Sequence, residues 1–175
     1  MHRNICRSLI ALATAATLLA PAAASANLRT YGLMQPVELG TATLRWLGIA
    51  VYRARLHTDG ANRFDWSRPL ALEIEYFRSI DREDLTESTR SEIERIEGTQ
   101  PDLDALVGKL GNCFRNVGNG DVFTAVSVRP DSMALYLNGE RTCDIRHSDV
   151  RKRFLGIWLS ENSRSARLSA ELRGE

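Results

Sequence analysis

Strand-like segments in this chain come in consecutive runs on either side of a helical insert, and that order excludes most mixed folds. The segments YGLMQPVELG and TATLRW read as short strands broken by Pro36 and Gly40, and LRWLGIAVYRARL (Leu44 to Leu56) reads as one long strand. Both faces of that long strand are apolar at its centre, which predicts cover on both sides. After the turn-rich loop TDGANRFDWSRP, the segment LALEIEYF alternates. Leu70, Leu72, Ile74 and Tyr76 share one face and Glu73 and Glu75 the other, the pattern of a half-exposed antiparallel strand.

The insert that follows is helical. Ser79 or Asp81 can cap a first helix, acids crowd its first turn, Gly98 ends it, and Leu85, Ile93 and Ile96 form a thin apolar stripe. Thr99 is expected to cap a second helix with Pro101 in its first turn and Leu103, Leu106, Val107 and Leu110 inward. Strands are expected again over Asp121–Val128 and Met133–Asn138, and Asn138-Gly139 is a type I′ hairpin signal leading into ERTCDI. An amphipathic helix over Ser148–Leu159, with Val150, Phe154, Ile157 and Trp158 inward, and a short surface helix SARLSAEL complete the chain. Strand runs around helices predict an α+β fold, an antiparallel sheet with helices on one face.

The amino terminus reads as an export signal. Arg3 and Arg7 precede the apolar run Leu9–Ala20, and Ala24-Ser25-Ala26 is a small-residue cleavage site. The expected division is a signal peptide over 1–26 and one domain over 27–175, delivered to the periplasm. No further segment is expected to span a membrane. Cleavage would leave 21 cations against 22 acids, without the basic excess that nucleic-acid binding needs. Cys113 and Cys143 would remain, an even pair in an oxidising compartment, and are either a disulfide or two separate buried thiols.

No nucleophile elbow, phosphate loop, dinucleotide fingerprint or zinc motif occurs. His57 and His147 have no ligand spacing around them, so neither metal nor cofactor is expected. The acids Asp81, Glu83, Asp84 and Glu87 are explained by the helix dipole. Arg45 sits one residue before Trp46, as a rim charge reaching water or as an anchor in a cleft.

The segments LRWLGIAVYRARL, LALEIEYFRSIDREDL, LYLNGE and FLGIWLS, with Gly120-Asp121, resemble the bacterial chalcone isomerase-like family across nearly all of residues 27–175. The resemblance implies an open-faced β-sandwich with a cleft between a large antiparallel sheet and its helices. Enzymes of that kind close a flavanone ring without a cofactor, whereas related plastid members carry no catalysis and bind fatty acids in the same cleft. Matched to the enzymes, the cleft threonine falls on Leu47, the early arginine near Gln35, the tyrosine near Asp81 and the asparagine near Ser88. Leucine donates no hydrogen bond and an ionised aspartate repels an enolate, so the plant reaction is not expected.

The expectation is therefore a binding protein for a small apolar or acidic amphipathic molecule. Arg45 would meet its headgroup, and Leu47, Ile49, Val51 and Ser88 would line the cleft. Two alternatives are an isomerase that uses Tyr76 or Asp81 for proton transfer, and a partner-binding protein whose cleft its own side chains fill.

Overall fold

The structure, a computed structural model, describes residues 28–175, so the leader expected over residues 1–26 lies outside the described residues. A single turn of helix at residues 28–30 precedes β1 (Pro36–Trp46), β2 (Ile49–Asp59) and β3 (Leu70–Tyr76). Helices α1 (Arg82–Glu97) and α2 (Leu103–Cys113) follow. Next come β4 (Val122–Arg129), β5 (Ser132–Leu137) and β6 (Glu140–Arg146), then α3 (Val150–Leu159) and α4 (Ala166–Arg173). The six strands lie side by side in chain order, every neighbour antiparallel. The helices cover one face, as an α+β open sheet requires.

One element departs from expectation. Leu44–Leu56 is not a single strand but parts of two arms of a hairpin. Trp46 pairs with Ile49, and Leu47 and Gly48 form the turn with φ of 49° and 81°. Positive φ at both central residues gives the twist that a two-residue hairpin needs. Leucine seldom adopts that conformation, so the turn carried only half a signal. The apolar side chains that suggested a buried strand instead crown an exposed tip, with Trp46 71%, Leu47 87% and Ile49 51% exposed. The short strands expected before it are one strand, bulged between Glu38 and Gly40 and again between Leu44 and Arg45. The first run therefore holds three strands, not four.

Period-two alternation places the core. Ala42, Ala54, Leu56, Leu70, Leu72, Ile74, Tyr76, Phe123, Ala125 and Leu135 are buried in one cluster with the inward sides of the helices. Helix α2 contributes the four residues expected of it, although it starts at Leu103 with Asp102 rather than Thr99 at its N-cap. Helix α1 follows Asp81 and ends at Gly98, whose φ is 74°. Both middle residues of the Asn138-Gly139 turn have positive φ, as that dipeptide predicts. The disulfide Cys113–Cys143 ties the end of α2 to β6 across a Cα separation of 5.4 Å.

Helix α4 lies tightly across β1. A Cβ at Gly40 would sit 2.0 Å from the Glu171 carbonyl oxygen, so any side chain there would push the helix away. The far face of the sheet is polar and only partly covered. Leu28 and Leu33 pack there with Ala71, Val126 and Tyr136, and Tyr31 stacks on Tyr136 with centroids 3.8 Å apart. Beside them His57 and Glu73 are buried and paired at 2.9 Å, although alternation suggested an exposed Glu73. Glu75 stays half-buried between Arg53 and Arg55, at 3.3 and 3.0 Å.

Candidate functional site

Between the sheet and the helices, beneath the β1–β2 half of the sheet, lies a cavity of about 310 Å³. Its floor is Ala42 and Leu44 of β1, Val51, Tyr52 and Ala54 of β2, Ile74 and Tyr76 of β3, and Phe123 of β4. Helices α1, α3 and α4 wall it with Leu85, Phe154, Ile157, Trp158, Leu168 and Leu172. The cavity exists because its floor and walls face each other with small groups: Ala42 and Ala54 below, Ser88, Thr89, Ser165 and Ser169 above. Helix and sheet axes keep their spacing, and side chains of this size leave it unfilled.

The lining is apolar with a few placed polar groups. Trp158 Nε1 donates to the Tyr52 hydroxyl at 2.9 Å, bridging α3 to the floor. Tyr76, Ser88 and Thr89 also line the cavity, and their hydroxyls have no hydrogen-bond partner among the described residues. Burial pushes the Tyr52 phenol up to about 12, the Trp158 hydrogen bond working against that rise and the nearby Glu92 charge adding to it. Burial, and then Tyr52, push the Tyr76 phenol higher still. Both phenols are protonated at neutral pH, so they donate hydrogen bonds and do not act as bases.

One side is open, and charges guard it. Arg164 Nε donates to Glu92 Oε1 at 2.7 Å, and Nη2 donates to the same oxygen. Arg95 Nε and Nη2 hold Glu92 Oε2 at 3.0 and 2.9 Å, while Arg95 Nη1 donates to the Asn162 carbonyl at 2.8 Å. The loop between α3 and α4 is thereby strapped to α1. Burial alone would raise the Glu92 carboxyl, but hydrogen bonds from Arg164 and Arg95 outweigh it and hold the group below its ordinary value. The Arg164 side chain remains 70% exposed and marks the way in.

Of the residues singled out in the sequence, Val51, Tyr76 and Ser88 are in the lining. Arg45, Leu47 and Ile49 are not, because the hairpin turn carries them to the exposed tip beyond the cavity floor. Arg45 Nη1 donates to the Gly48 carbonyl at 3.2 Å across the turn. Asp81 is exposed at the N-cap of α1, and the Gln35 N–H donates to Asp59 at the other end of β1. Tyr52, Thr89, Glu92, Trp158, Arg164 and Leu168 were missed. The spacing Leu85, Ser88, Thr89, Glu92 does trace one helix face, but three of the four are polar and it reads as a solvated side. Among the described residues no three His, Cys, Asp or Glu side chains cluster to hold a metal ion, and no helix is long and apolar enough to cross a membrane.

Comparison with known proteins fits this architecture. A family model described as chalcone isomerase-like matches residues 45–174. An uncharacterized protein of Haemophilus influenzae is 25% identical over 144 residues, 81% of this chain and 68% of that one. Among solved structures, a fatty-acid binding protein of Arabidopsis thaliana superposes with a TM-score of 0.63, covering 80% of this chain and 87% of that one. At 12% identity, that likeness speaks to the fold.

Proposed function

Because the chain belongs to the chalcone isomerase-like family, we propose that it is a non-catalytic carrier that holds a fatty-acid-like molecule in the cavity between sheet and helices. One observation carries the reading: an apolar hollow of about 310 Å³ with unpartnered hydroxyls in its lining. A void of that size left dry forfeits packing, with a penalty on the order of 24 cal/mol per Å³ in cores that cannot collapse. Water gains little from walls of Leu, Ile, Phe and Trp. An acyl chain fits them, and a headgroup oxygen can accept hydrogen bonds from Tyr76, Ser88 or Thr89. The fatty-acid binding protein of the same fold supports that ligand class.

Protonated phenols and the lack of an ionised base in the lining, other than the paired Glu92, favour holding over bond rearrangement. Export to the periplasm is part of the proposal. It is supported by the sequence pattern of residues 1–26 and by the Cys113–Cys143 disulfide.

Native mass spectrometry of the purified protein tests the reading, with a fluorescent fatty acid as probe in titration. One ligand per chain and at least tenfold weaker probe binding by Leu168→Trp, which fills the wall, are expected. Full affinity in that variant, or turnover of enone substrates by the wild type, would remove it.

A further inference from the structure

The β1–β2 tip has no role in the cavity, and its composition needs explaining. Trp46, Leu47 and Ile49 project into solvent, with Leu47 87% exposed. Exposed large apolar side chains grouped on one tip mark a contact surface. Two arginines flank them. Among the described residues the Arg45 side chain bonds only to the carbonyl of its own turn, and Arg78 is exposed with no ion pair. Arg78 follows Phe77, whose N–H donates to the Val51 carbonyl at 2.9 Å, which sets it beside the tip end of β2. The neighbouring cation Arg53 is already engaged by Glu75.

We propose that this tip docks the protein onto an anionic lipid bilayer, with Trp46, Leu47 and Ile49 entering the headgroup–acyl boundary and Arg45 and Arg78 meeting lipid phosphates. Three side chains at the end of a two-stranded ribbon fall far short of the roughly 800 Å² per partner of a stable protein interface. A bilayer demands no matching shape, and tryptophan favours the headgroup level. Unpaired arginines complement phosphate, which they bind in fork geometry. The same strands continue inward into the cavity floor at Leu44, Val51 and Tyr52, so docking would bring the cavity close to the lipid. The docking stands whether or not the cavity carries a ligand.

Vesicle co-sedimentation of the purified mature protein, residues 27–175, decides it. Phosphatidylglycerol–phosphatidylethanolamine vesicles are compared with pure phosphatidylcholine, and brominated lipids probe Trp46 by quenching. Expected are binding to the anionic vesicles, quenching that Trp46→Phe removes, and at least tenfold weaker binding by Trp46→Ser/Leu47→Asn. Asparagine tolerates the left-handed turn position, so that variant should melt no lower than the wild type. Arg45→Gln/Arg78→Gln should lose the preference for anionic over neutral vesicles. Equal vesicle binding by wild type and tip variant would overturn the proposal. A wild-type dimer that the tip variant converts to monomer, with no lipid binding by either, would also overturn it in favour of self-association.

Discussion

The layer between sheet and helices is solid at one end and hollow at the other. Around α2, Leu103, Leu106, Val107 and Leu110 share one buried cluster with Met133, Leu135 and Ile145 of β5 and β6. That end is also braced. The disulfide crosses it, and the buried Arg151 on α3 donates to Ser127 Oγ at 3.0 Å, to the Ser127 carbonyl at 3.2 Å and to the Trp66 carbonyl at 2.8 Å. Around α1 and α4 the same sheet meets alanines and hydroxyl residues, and the layer is left open. Two ends of one architecture thus differ in the volume of the side chains that face each other and in the bracing around them. Rigidity concentrates where methyl groups interlock, and capacity to hold something else where they do not.

The contrast can be broken most severely by truncation. Leu110→Ala should cost about 3–4 kcal/mol, since the buried site cannot collapse, whereas Leu85→Ala on the cavity wall should cost about 1 kcal/mol because it already borders empty space. Chemical denaturation of both variants reads the difference, and equal losses would erase the distinction between the ends. Next in size is the covalent brace. Opening Cys113–Cys143 with reductant, or replacing both with serine, should lower stability by about 3 kcal/mol for a closed loop of this length, seen as a lower denaturation midpoint.

A smaller effect is expected at the floor. Tyr52→Phe leaves Trp158 Nε1 without its acceptor and should cost about 1 kcal/mol by the same measurement. Smallest is the entrance pair. The Glu92 carboxyl is held below its ordinary value of 4.5. Its contribution is therefore full above that value and is lost as pH falls through the lower, folded value. Release of a bound fluorescent fatty acid should accelerate over that acidic range. Glu92→Gln should release fast at every pH, and a persistent pH step in that variant would assign the effect to the ligand instead.

Much of the solid end was legible beforehand. Helical spacing placed the four α2 residues inward, and alternation in β3 did the same for Leu70 and Leu72 and for Ile74 and Tyr76, which floor the cavity, because burial imprints a period on the chain. The even cysteine pair flagged the brace. The hollow end and the hairpin tip were harder to read, each for its own physical reason. A void is set by residues that do not meet, and Ala42, Ala54, Ser88 and Thr89 come from three distant segments with no shared pattern. The tip was hidden by its chemistry, since Trp46, Leu47 and Ile49 have the composition of a buried strand, and only Gly48 hinted at a turn. Arg45 stands out in the sequence, but its surroundings belong to the hairpin and not to the cleft.

The tight seat of α4 on Gly40 has a temporal corollary. Leu168, Ser169 and Leu172, which close one side of the cavity, come from the latest-made helix of the described fold, while the strand they press against is its first. A folding chain that has seated its earlier elements therefore has a chamber without its final panel, and under the proposed function a guest molecule can settle onto the bare sheet before that panel arrives. Loading during folding would then be easier than loading at maturity, when a guest must pass the entrance that Arg164 and Glu92 guard.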